Sequence, residues 1–182
     1  MPSIAVKAEA VKTMIRDAFA ATPYPGDHAL VRSVGDEPDE VVELFRGRDD
    51  WRALAADLLD RAGAASPSAL SFFSAGAFRF YLPAYLIADL DSRLVYTDPS
   101  FYLYHGLDDA TRTQRVHVPG AGETTWWQVQ RDHLAGFTPQ EAAAIVAYLR
   151  WRSAGEEPDF SRRSIAEALK NYWLVKAGER AE

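Results

Sequence analysis

Residues 74 to 90 read SAGAFRFYLPAYLIADL. On a helix of about 3.6 residues per turn, their apolar and aromatic side chains cover nearly the whole circumference. A helix that is apolar all round has to be surrounded by other elements, so this stretch predicts the central helix of a mainly α fold. Ser74 is placed to cap its start. Pro83 has no N–H to give to a helix interior, at a cost of about 3 kcal/mol, and predicts a kink or a break into two shorter helices. Arg79 and Asp89 interrupt the apolar run from 70 to 90, which excludes a membrane span and leaves a buried helix.

Moving outward toward the N-terminus, Ile4, Val11, Ile15, Ala18 and Phe19 recur at near-helical spacing and predict an amphipathic helix over 3–21. The stretch TPYPGD at 22–27 ends it, because two prolines and a glycine impose turn geometry and withdraw backbone donors. Residues 28–34 read as a connector. Asp36, Glu37 and Asp39 around Pro38 mark the start of a helix over 38–46, since carboxylates favour the positive end of the helix dipole. Asp49 or Asp50 can then cap a second helix carrying Trp51, Leu54, Leu58 and Leu59 on one face and ending near Gly63.

Toward the C-terminus the helical pattern fades. Short apolar runs at 94–96, 101–104 and 115–118 are separated by turn signals, so a small β element or an irregular covering loop is expected within 94–130. The pattern returns at Thr138-Pro139-Gln140-Glu141, a capping box, and continues through Ile145, Tyr148 and Leu149. A last helix carries Ile165, Leu169, Tyr172 and Trp173. In all, about five or six helices around 74–90 are expected in a single domain over 1–182, with 177–182 frayed.

The chain has 182 residues, 48% of them hydrophobic, with nine Phe, eight Tyr and five Trp, enough for a sizeable core. It contains no cysteine, which excludes disulfides, thiolate metal sites and cysteine nucleophiles. A net charge of −6 disfavours nucleic acid and anionic lipid as partners. Charged residues throughout the first twenty positions leave no export signal, so a cytoplasmic protein without membrane contact is expected.

Signatures of chemistry are sparse. The stretch VPGAGETT at 118–125 has Glu123 where a phosphate loop needs lysine, and reads as a turn. His28, His105, His117 and His133 form no ligand spacing; His105 with Asp108 and Asp109 is the nearest approach to a cluster, and no metal site or cofactor is assigned. No serine sits in a glycine-flanked nucleophile turn.

Three groups remain as binding candidates. Between Asp36 and Arg61 nine acids face four bases, carrying most of the chain's negative excess. Asp49, Asp50, Asp57 and Asp60 within it are either solvated helix faces or a docking surface for a basic partner. Arg79, amid aromatic residues, has to be paired or stacked; it is either structural or the anion-recognising residue of a pocket with Tyr81 and Tyr85. Trp126 and Trp127 are either core plugs or anchors for a partner.

Three stretches taken together, AFAATPYPGDHALV at 18–31, LSFFSAGAFRFYLPAYLIADL at 70–90 and FTPQEAAAIVAYLRW at 137–151, resemble a bacterial family of domains of unknown function. The resemblance implies a stand-alone bacterial domain and brings no activity, cofactor or catalytic residue with it. The functional expectation is a protein-binding module, in its specific form an acidic immunity- or inhibitor-type protein that masks a basic partner. The alternative is a small enzyme or ligand-binding protein that uses the Arg79 pocket.

Overall fold

The computed structural model describes residues 4–61, 65–118, 122–155 and 158–179. It is mainly helical, with a two-stranded antiparallel hairpin, and divides into two compact units, Met1–Tyr102 and Leu103–Glu182. Among the described residues no helix is long and apolar enough to cross a membrane.

In the first unit the central helix runs unbroken over Ala75–Leu90. The Ser74 hydroxyl caps it by accepting the Ala77 N–H at 3.1 Å and donating to the Ala29 carbonyl at 2.6 Å. Pro83 lies inside the helix and is buried, so the expected break does not occur. Its neighbours Leu82, Tyr85 and Leu86 are also buried, and a packed apolar shell on this scale outweighs the loss of one backbone hydrogen bond.

Phe45, Phe73 and Tyr81 form the aromatic centre of this unit. Ring centroids lie 4.9 Å apart for Phe45 and Tyr81 and 5.1 Å for the stacked pair Phe73 and Tyr81. The N-terminal helix, Ile4–Ala18, presents Val11 and Ile15 to the core. Its buried Lys12 reaches Asp91 at 2.5 Å and also pairs with Glu9, so a charge on the inner face is compensated rather than stranded. Residues 28–34, a connector in the sequence, are pinned to the chain before the central helix. Val31 bridges Phe73, with Arg32 N–H on the Phe72 carbonyl at 3.0 Å and Ser74 N–H on the Leu30 carbonyl at 2.9 Å.

The acidic helix spans Asp36–Phe45. The second acidic helix of the sequence reading is two short turns instead: a 3-10 turn at Trp51–Ala53 and a helical turn at Ala56–Leu59. Asp50 caps the first by accepting the Arg52 N–H, and Leu54 and Ala55 then adopt extended backbone that separates the two. The expected end near Gly63 falls outside the described residues. The runs at 94–96 and 101–104 are not strands. The first is a loop held by Asp60, and Phe101–Tyr104 is a helical turn.

In the second unit, Arg115–Val118 pairs with Gly122–Thr125 as an antiparallel hairpin. Thr125 then caps a helix over Trp126–Leu134 that the weak apolar period of this stretch does not announce. The capping box at Thr138 is present: the Thr138 hydroxyl accepts the Glu141 N–H at 3.2 Å, and the Glu141 carboxylate accepts the Thr138 N–H at 2.7 Å. It opens the helix Pro139–Ser153, against which the last helix packs.

That last helix starts at Asp159 and passes through five π-helical residues, Leu169–Trp173, before resuming at Leu174. Three consecutive side chains in the π segment each reach a different backbone carbonyl. Asn171 donates to Leu107 at 3.2 Å, Tyr172 to Leu134 at 2.9 Å and Trp173 to Leu103 at 2.7 Å. Successive helical residues point about 100° apart, so this helix end is gripped on several sides.

Candidate functional site

The acidic helix carries Val41 and Phe45 inward, both fully buried, and leaves Asp36, Asp39, Glu40 and Glu43 in solvent. Spacings of three and four residues put these carboxylates along one side of the helix. They line a shallow, open groove of about 950 Å³ together with the partly exposed Val42 and Leu44, which flank the carboxylates on either side. Arg46 also lines it and is bound to Glu43 at 2.6 Å. A carboxylate stripe flanked by partly exposed apolar side chains can take a segment that carries both basic and apolar side chains.

A second set of bonds fixes this helix against the turn that precedes the connector. Asp27 accepts the Gly47 N–H at 2.7 Å and the Tyr24 hydroxyl. Both bonds hold its carboxyl below the usual carboxylate range, the Gly47 bond contributing most.

The acids singled out in sequence are dispersed by the structure. Asp49, Asp50 and Asp57 are exposed, with Asp50 occupied as a cap and bound to Arg52 at 3.4 Å. Asp60 is 9% exposed and turns inward. It accepts the N–H groups of Val95 and Tyr96, the latter at 3.0 Å, and the Thr97 hydroxyl at 2.7 Å. Burial alone would raise its carboxyl, but the bonds from Thr97, Val95 and Tyr96 outweigh that and hold it below the ordinary carboxylate value. Asp36, Asp39, Glu40 and Glu43 instead share one side of a helix, and their spacing of three and four residues distinguishes them in the sequence from Asp49 to Asp60.

Arg79, Tyr81 and Tyr85 are not brought together. On a helix Tyr81 and Tyr85 point within about 40° of each other, whereas Arg79 points about 200° from Tyr81. Arg79 is half-buried, and both tyrosines are fully buried. The Tyr81 hydroxyl donates to the Arg48 carbonyl at 2.9 Å and the Phe45 carbonyl at 3.3 Å, and Tyr85 donates to the Ser66 carbonyl at 3.4 Å. Burial pushes both phenols far above their ordinary value, so neither supplies a proton at neutral pH. Tyr81→Phe is expected to cost about 1 kcal/mol in urea unfolding, the value of a buried neutral hydrogen bond. A loss below about 0.3 kcal/mol would show that the hydroxyl does not hold the Arg48 turn.

Trp126 and Trp127, in the second unit, have separate environments. Trp127 is 8% exposed, with the Arg112 guanidinium 3.9 Å over its ring. Trp126 is 40% exposed and meets His105 edge-on at 6.3 Å. Asp108 caps Thr111, and Asp109 binds Arg112 and Asn171. Among the described residues no three His, Asp or Glu side chains are grouped as a metal ion requires.

Comparison with known families places the chain. The model of a family of unknown function, DUF6714, matches residues 7–177. The chain belongs to DUF6714. The three stretches at 18–31, 70–90 and 137–151 all lie within the matched residues, as do the central helix, the acidic groove, Trp126 and Trp127. No curated protein and no solved structure matches the chain. For this DUF6714 protein, function has to be argued from its own surface.

Proposed function

We propose that this DUF6714 protein is a protein-binding module whose acidic groove takes a basic, amphipathic segment of its partner. The observation that carries this reading is the combination of Asp36, Asp39, Glu40 and Glu43 with the accessible Val42 and Leu44 in one concavity. A merely solvated helix face has its carboxylates but needs no accessible apolar side chains beside them. The net charge of −6 adds long-range attraction for a basic partner and repulsion for acidic ones.

Asp39 and Glu40 are exposed and form no ion pair with a described residue, so they can be reversed without disturbing the core. Asp39→Lys with Glu40→Lys is expected to weaken partner capture from the native host by tenfold or more, about 1.4 kcal/mol. It should also flatten the dependence of capture on salt. Circular dichroism should show the fold unchanged. Capture that is equal for the variant and the wild type, or indifferent to salt, would remove the groove as the docking site.

A further inference from the structure

A smaller cavity, about 180 Å³, lies in the first unit between the end of the N-terminal helix, the Trp51 turn and the last turns of the central helix. Its chemistry is the reverse of the acidic groove. Arg16, Arg52 and Arg93 line it, against the single carboxylate of Asp91. Asp91 is already taken by Lys12 at 2.5 Å, so it does not neutralise the guanidinium groups. Three arginines converging on one small concavity stand out in a chain of net charge −6.

The three differ in what holds them. Arg52 is fixed and its charge is compensated: it pairs with Asp50 at 3.4 Å, donates to the Ala20 carbonyl at 2.8 Å and lies 4.7 Å over the Trp51 ring. Arg16 and Arg93 have no side-chain hydrogen bond or ion pair with a described residue. Two uncommitted guanidinium groups supply planar forks of donors that match a carboxylate.

The rest of the lining favours an organic acid over an inorganic anion. The rest of the wall is apolar, formed by Leu54, Ala84, Ile87 and Ala88. A cavity of about 150 Å³ holds a benzene ring, so this volume accommodates a body of that size. In addition Trp51, which lines the cavity, is 3% exposed, and its buried indole N–H has no acceptor among the described residues. Buried N–H groups are nearly always satisfied, so an indole N–H without an acceptor in the wall of a cavity is unusual.

We propose that this cavity binds a small organic acid, with the carboxylate held between Arg16 and Arg93 and the apolar body against Leu54, Ala84 and Ile87. The site is independent of the acidic groove, and neither reading requires the other. Proton–nitrogen correlation spectra follow the five tryptophan indoles directly, and loss of one signal in Trp51→Phe assigns the one that matters. Sodium benzoate is expected to shift the Trp51 indole signal saturably, while benzyl alcohol, of the same shape without the charge, and inorganic phosphate, charged without the apolar body, leave it nearly unmoved. Arg16→Gln and Arg93→Gln are each expected to weaken benzoate about tenfold. Both side chains are exposed, so the remaining signals should stay in place. Absence of a saturable shift, equal binding of phosphate or benzyl alcohol, or undiminished binding by the double arginine variant would each overturn the assignment.

Discussion

Trp173→Ala is expected to remove about 3–5 kcal/mol from the stability of the second unit. The side chain is fully buried. Its ring meets Phe137 at 5.7 Å and Tyr172 at 5.0 Å, both edge-on, so truncation loses two favourable aromatic contacts as well as burial. Its N–H donates to the Leu103 carbonyl at 2.7 Å and leaves that acceptor unpaired when it goes. The last helix reaches the rest of the unit through Asn171, Tyr172 and Trp173 together, and the residual cavity would sit at the middle of that grip. Trp173→Phe separates the two contributions. It keeps most of the ring and loses the donor, and should cost only about 1–2 kcal/mol. Urea unfolding followed by circular dichroism measures both. A loss under about 1.5 kcal/mol for the alanine variant would mean that the last helix is not anchored through this residue.

The pattern of these losses explains which parts of the fold can be read from sequence. The central helix is legible because an all-round apolar circumference admits only a buried position, and the Thr138 box is legible because its two bonds are local. Of the kink or break that Pro83 predicts, the break does not occur, since the sequence shows the missing N–H but not the packing that outweighs it. The Trp51–Leu59 stretch misleads for a related reason. Its apolar spacing suits a helix, yet Leu54 and Ala55 adopt extended backbone and divide it, and no residue in the stretch marks that step. The π segment leaves no trace in the pattern, because Ile165, Leu169, Tyr172 and Trp173 fit an ordinary helix equally well.

Site residues are less legible than fold residues. A charge count identifies the acidic region but cannot tell Asp39, which faces a groove, from Asp60, which faces two backbone N–H groups. Aromatic neighbours of Arg79 suggest a pocket, but helical geometry sends Tyr81 and Tyr85 away from it and into the core. The arginine cavity joins residues 16, 51–56, 84–93 and so depends on the packing of segments that no motif links.

Asp60→Ala is the second large expected effect, about 3 kcal/mol or more, because it strips the acceptor from two backbone N–H groups and a buried hydroxyl at once. Asp60→Asn keeps one carbonyl oxygen but turns an amide N–H₂ toward those donors, and should recover only part of the loss. The dependence on pH distinguishes this account from simple packing. The hydrogen bonds hold the folded carboxyl below its unfolded value, so the stability they supply is fully present above the unfolded value of about 4 and is lost as pH falls through the lower, folded value. The gap between wild type and Asp60→Asn should therefore be constant from about pH 7 to about pH 5 and narrow below about pH 4. A gap that stays constant down to about pH 3 would mean that the charged form of Asp60 is not what the loop binds. The same loop presents Val95 and Tyr96 to solvent at 80% and 62% exposure. With so little burial of their side chains, the conformation at 95–96 depends on the Asp60 carboxylate more than on packing, and limited proteolysis should open this segment first in Asp60→Ala.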